Sequence, residues 1–243
     1  MPDGNGITNR NGISARPLQH GARSAWRAHI LTIMIRVLKA WIFATAVLGA
    51  PLAANAASTL AKISLPDGVD LEIPSAWKIV TDSRVQELRD KLKSANKGNS
   101  VASEVIAQTR TVFYAVSGPG LSESIIIDVN GTPEMTSAQA MALSSEQLKG
   151  IERTMAAGLQ DQLRRANSQL TDFYGTVPGT LAGKPAIVTT YERAIGAYRK
   201  YTRVMTVFTD RGQYTITQGI PRYADSESQP RMDAIKDSIS FRD

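Results

Sequence analysis

From residue 57 onward the sequence predicts a single α+β domain, an antiparallel β-sheet covered by helices. Three observations carry that expectation. Apolar and β-branched runs between residues 63 and 129, and again between 173 and 220, are separated by short turns of the kind that join antiparallel strands. Two stretches, opening near Thr136 and near Ser228, place their apolar residues at helical spacing. No repeat, low-complexity block or long linker interrupts residues 57 to 243, so one domain is expected there.

The first element is a leader. Met34-Ile-Arg-Val-Leu-Lys-Ala40 carries two positive charges, Trp41 to Ala50 is apolar and uncharged, and Pro51 then precedes Ala54-Asn55-Ala56, whose small residues suit a signal peptidase. Residues 34 to 56 therefore read as a signal peptide cleaved between Ala56 and Ala57, which implies bacterial export to the periplasm or beyond. The apolar run is too short to cross about 30 Å of hydrocarbon, so no stable membrane insertion is expected after cleavage. With no cysteine in the chain, the lipoprotein route is closed. Residues 1 to 33 form a polar upstream extension punctuated by Gly and Asn, expected either to be disordered or to precede a true start at Met34.

Next, Ile63 and Leu65 lead through Pro66-Asp67-Gly68 into Val69, Leu71 and Ile73, which alternate with Asp70 and Glu72; this is a hairpin with one buried face. Pro74 breaks the strand before Trp77, a core residue. Ser83 and Gln86 form a capping-box pattern that opens a short helix, and a weaker helical piece follows from Ala102 to Gln108. Thr111 to Val116 and Ser124 to Val129 make a second hairpin around Gly118-Pro119-Gly120. The longest helix is expected from Thr136, capped with Gln139, through Met141, Leu148, Ile151, Met155, Leu159 and Leu163. Four strands follow as a meander: Phe173 to Thr176, Ala186 to Ala194, Tyr198 to Thr209 and Gln213 to Gln218. A last helix, with Pro230 in its first turn, carries Met232, Ile235 and Ile239 back onto the sheet.

Within this order, Leu71-Glu-Ile-Pro-Ser-Ala-Trp77, Gly183-Lys-Pro-Ala186, Gly212-Gln-Tyr-Thr-Ile216 and Asp237-Ser-Ile-Ser-Phe241 resemble the superfamily of the photosystem extrinsic protein PsbP, over most of residues 63 to 241. The resemblance implies an α/β/α sandwich with a central antiparallel sheet. It also implies an accessory or binding role without a shared catalytic apparatus, so no residue-specific role is carried over.

Composition removes several chemistries. Both histidines, His20 and His29, lie in the leader, and Cys is absent, so residues 57 to 243 lack the usual ligands of zinc and haem and the imidazole of the common hydrolytic triads. No metal site or cofactor is expected. The net charge of +6 belongs largely to the leader, which holds six basic residues and one acid; of 28 basic and 22 acidic residues, 22 and 21 remain from 57 onward. A near-neutral domain gives no reason to expect nucleic acid as a partner.

Gly179-Thr-Leu-Ala-Gly183-Lys184-Pro185 lacks the glycine spacing and the Ser or Thr after Lys that a phosphate loop needs, and reads as a turn. Asp67, Asp70 and Glu72 lack the spacing of a calcium loop. Asn130-Gly131-Thr132 fits a glycosylation sequon but reads as a turn in a bacterial protein. Ser144 and Ser145 with Lys149 read as an exposed helix face rather than a nucleophilic pair. One cluster stands out: Tyr191 and Arg193, then Tyr198, Arg199, Lys200, Tyr201 and Arg203, on two strands joined at Gly196. Cationic forks beside aromatic rings suit an unknown protein's carboxylates or a small anionic ligand.

The leading expectation is thus a non-enzymatic exported binding or accessory domain. The alternatives are a hydrolase that works without His or Cys, using carboxylates or serine, and a structural envelope protein.

Overall fold

The structure, a computed structural model, describes residues 59–80, 83, 85–87, 90, 109–118, 122–130, 135–224 and 226–242. The leader with its cleavage point, the helical piece from Ala102, the middle of the Gly118-Pro119-Gly120 loop and the Gly131-Thr132 half of the sequon lie outside those residues. Of the helix expected from Ser83, residues 83, 85–87 and 90 are described, and all are helical.

The first hairpin forms as expected. Strands β1 (Leu60–Ser64) and β2 (Val69–Pro74) pair antiparallel with Ile63 opposite Leu71. Gly68 sits in the turn at φ 82°, a left-handed backbone that favours glycine. Val69, Leu71 and Ile73 are buried, while Asp70 and Glu72 between them are partly exposed. A two-residue strand at the far end of the chain, β10 (Ser240–Phe241), joins the other edge of β2.

The main sheet has seven strands: β3 (Lys78–Ile79), β4 (Thr109–Val116), β5 (Ser124–Asn130), β6 (Gln169–Leu181), β7 (Lys184–Ile195), β8 (Tyr198–Thr209) and β9 (Gly212–Pro221). Their order across the sheet is β3-β4-β5-β9-β8-β7-β6. The expected meander is β6 to β9, and every pairing in it is antiparallel. What local turns do not specify is the non-local step in which β5 docks on β9, with Ile127 opposite Ile216. Strand β6 runs well beyond the expected Phe173 to Thr176; it tolerates Pro178 because it lies at the sheet edge, where a missing N–H need not break a ladder.

The longest predicted helix is instead two. Thr136 and Gln139 do form a capping box, but the helix they open, α1 (Ser137–Met141), ends within two turns. Ser144 then caps a second helix, α2 (Ser145–Arg165), through an identical reciprocal pair with Gln147. Met141, expected on the packed face, is consequently exposed. In α2 the predicted stripe holds: Ile151, Met155, Leu159 and Leu163 are buried. The last helix, α3 (Ser228–Ser238), has Pro230 in its first turn and buries Met232 and Ile235.

Strand alternation gives the sheet two faces. On one, Phe113, Ile125, Ile127, Met205, Val207 and Ile216 form a single core with β2 and α3. On the other, Ile187, Tyr191, Val204 and Phe208 pack against α1 and α2. Each large aliphatic side chain fully buried in this way contributes about 1.5–3 kcal/mol. These two covered faces make the α+β sandwich that the sequence predicts.

Candidate functional site

The seven clustered residues sit at one end of β7 and β8, where the register is Tyr191 opposite Thr202, Glu192 opposite Tyr201, Arg193 opposite Lys200 and Ile195 opposite Tyr198. The strands bring them to one end, as expected. They do not form one surface, because alternate residues on a strand point to opposite faces, and the cluster divides accordingly.

Tyr201 and Arg203 fall on the α3 face. Arg203 is taken up structurally: its Nη1 donates to Asp233 Oδ1 on α3 at 2.6 Å, and the neighbouring Gln218 donates to Met232 O at 2.7 Å. Burial pushes the Asp233 carboxyl upward, but hydrogen bonds from Arg203 and Gln229 outweigh it and hold the group below its usual range. The Tyr201 ring lies 6.0 Å from that of Tyr174 on β6. The Tyr174 hydroxyl donates to Glu192 Oε1 at 2.9 Å, and Arg222 pairs with the same carboxylate at 3.1 Å. Arg222 is tied to the hairpin by its backbone N–H, which donates to Arg199 O at 2.9 Å. Tyr174 (55 %) and Tyr223 (79 %) expose much of their surface, and Arg199, in phase with Tyr201, is exposed; Tyr198 (61 %), in phase with Lys200, is exposed on the other face.

Tyr191, Arg193 and Lys200 fall on the α2 face and are buried; Arg193 and Lys200 are each only 2 % exposed. Burial pushes the Tyr191 phenol up to about 12, against the opposing pull of the Arg193 charge. Lys200 extends across β9 at Gly219, where a Cβ would stand 2.3 Å from Lys200 Cε. Its Nζ then donates to Ser124 Oγ at 2.9 Å and to Ser122 O at 3.0 Å. Burial, reinforced by the Arg193 charge and opposed by Glu123, lowers the ammonium from 10.5 to about 7. Cationic forks beside aromatic rings, the arrangement anticipated for all seven, therefore fit Arg222 and Tyr174, which share Glu192, but not Arg193 and Lys200.

Sequence reasoning missed Ser124, Gly219, Tyr174, Arg222 and Tyr223. Ser124 and Gly219 meet Lys200 only through the β5–β9 docking, so no local pattern signals them. Tyr174 lies on the flanking strand β6 and Arg222 in the turn just after β9, and the meander spacing could have included them. Of the Ser144, Ser145 and Lys149 group, Ser144 is used as a helix cap, and Ser145 and Lys149 are exposed on α2. Among the described residues no group of three His, Cys, Asp or Glu could hold a metal ion, and no helix is long and apolar enough to cross a membrane.

No family model matches this chain, and no curated protein matches it. Among solved structures it is similar to the cyanobacterial PsbP protein CyanoP from Synechocystis sp. PCC 6803, at 12 % identity over 80 % of this chain and 98 % of that one, with a TM-score of 0.48. It is similar to LpqN, described as involved in cell envelope biogenesis of Mycobacterium tuberculosis, at 15 % identity over 78 % and 94 %, TM-score 0.39. It is also similar to the Ran-binding protein Mog1p of Saccharomyces cerevisiae, at 10 % identity over 76 % and 96 %, TM-score 0.37.

Proposed function

We propose that this chain is an exported binding or accessory domain, and that it takes an acidic protein partner through the Tyr and Arg end of its sheet. The observation that carries the reading is the exposure of Tyr174 and Tyr223 with Arg199 and Arg222, at an end of the sheet braced by Glu192. Tyr and Arg are enriched at interface centres, and a guanidinium fork matches a carboxylate. The leader pattern of residues 34 to 56 supports export; an intact mass beginning at Ala57 is the expected result, and a mass retaining the leader contradicts it. The binding surface is tested by placing a photo-reactive amino acid at position 199 or 223 in the native host, with position 149 on the outer face of α2 as control. Adducts of one defined mass at 199 and 223, absent at 149, support the surface. Adducts at none of the three, or equally at all, defeat it.

A second reading, a serine hydrolase, is favoured by one observation: the Ser124 hydroxyl lies 2.9 Å from an amine that titrates near neutrality and could accept its proton. A fluorophosphonate would then bond to Ser124 Oγ with loss of fluoride, the proton passing to Lys200. Labelling of Ser124 that vanishes in Lys200→Met supports the hydrolase; an unlabelled chain leaves the binding reading standing.

A further inference from the structure

Arg193 and Lys200 are two cations removed from water directly opposite one another, on the same face of adjacent strands. Burying like charges together is costly unless an anion accompanies them. The nearby carboxylates are committed elsewhere. Glu123 accepts both of its contacts from Arg231 Nη1 on α3, at 2.7 and 2.8 Å. Glu192 follows Tyr191 in the chain but points to the opposite face, toward Tyr174 and Arg222. Among the described residues, neither Arg193 nor Lys200 has an ion-pair partner.

The two cations differ in what they can do about this. Lys200 can release its proton near neutrality, whereas a guanidinium remains charged at every physiological pH. Arg193 Nε is buried with no hydrogen-bond partner, and so is Thr217 Oγ1 on β9, while Thr202 on β8 is engaged with the Tyr191 phenol. Thr202 lies opposite Gly219, and Thr217 is two residues before it, so all these groups belong to the patch that Lys200 crosses. Buried polar atoms without partners are rare in native proteins and call for an explanation.

We propose that this patch is an internal oxyanion site, in which a carboxylate or phosphate group of a small ligand binds between the Arg193 guanidinium and the Lys200 ammonium. The Nε and Nη donors of Arg193 present the fork that accepts two oxygens at once. The Thr217 hydroxyl completes the donor set, and Lys200 keeps Ser124 and the Ser122 carbonyl as its anchors. Glycine at 219 is required because the lysine chain occupies the space of its side chain. The site lies on the buried face and stands or falls independently of the exposed Tyr and Arg surface.

The test uses the purified whole chain, exchanged into an oxyanion-free buffer and titrated with inorganic phosphate, acetate or chloride at matched ionic strength. The groups that face Lys200 are Arg193 and the Tyr191 phenol from β7 and Glu123, itself held by Arg231 of α3. Lys200 changes charge near neutrality, so the anion should bind about tenfold or more tightly at pH 6 than at pH 8.5, as the ammonium is lost. Saturable stabilisation by phosphate or acetate but not chloride, with a moved Arg193 Nε–Hε resonance, supports the proposal. Whichever anion acts identifies the ligand's head group. Arg193→Gln should abolish the effect, and because that variant can fail to fold, the wild-type resonance decides the matter by itself. An Arg193 Nε–Hε signal unmoved by phosphate and by acetate overturns it.

Discussion

The two faces of the seven-stranded sheet are built from the same strands and yet differ in kind. On the α3 face, neighbours such as Met205, Val207 and Ile216 make a continuous apolar core. On the α2 face, Ile187, Tyr191, Val204 and Phe208 are apolar where the helices lie, but the adjoining positions on β5, β8 and β9 are Ser124, Asp128, Lys200, Thr202, Thr215 and Thr217, all buried. One face is specialised for stability. The other gives up stability to keep polar groups inside, a trade that natural proteins accept mainly at functional sites.

The sharpest contrast is between adjacent residues of β9. Ile216→Ala should destabilise by about 2–5 kcal/mol in denaturant titration, since it leaves a cavity in the α3 core. A loss below about 1 kcal/mol would show that this face is not the main store of stability. Intermediate in size is the pH dependence set by Lys200. Its folded value of about 7 lies below the ordinary lysine value of 10.5, so between those limits the unfolded chain binds more protons. Stability should therefore rise with pH from about 7 to about 10, with a slope of up to roughly 1.4 kcal/mol per unit, and fall back as the pH drops through 7. Lys200→Met should flatten that rise; an unchanged slope would mean that the lysine titrates normally and the face is wetter than described. The smallest effect is expected at Thr217→Val, which replaces an unpartnered buried hydroxyl with a methyl group and should stabilise by about 1 kcal/mol. A loss of stability there would mean that the hydroxyl is satisfied, which also weakens the oxyanion site.

How far the sequence revealed this molecule depends on the range of the interactions involved. The hairpin around Asp67 and Gly68, the β6 to β9 meander and the stripe of α2 follow from local chemistry and from periods of 2 and 3.6, and they were legible. The interruption at Ala142 was also written locally, as Ser144 with Gln147, but Leu148 and the residues after it continue the apolar spacing and concealed it. The division of the Tyr and Arg cluster follows from alternation alone: Lys200 and Tyr201 cannot share a face. By contrast, the contact of Lys200 with Ser124 joins residues 76 apart in the chain and depends on β5 lying beside β9, which no turn between them dictates.

The closure of β10 on β2 bears on the order of assembly. Phe241 pairs with Val69 and Ser238 Oγ accepts from Glu72 N–H at 2.9 Å, so the first hairpin is completed by residues some 170 positions later. A ribosome delivers those residues last. Until they emerge, β2 lacks its second neighbour and α3 has not covered the sheet, so the chain stays short of its native form. The same contact that seals the finished domain thereby ties its folding to the completion of the chain.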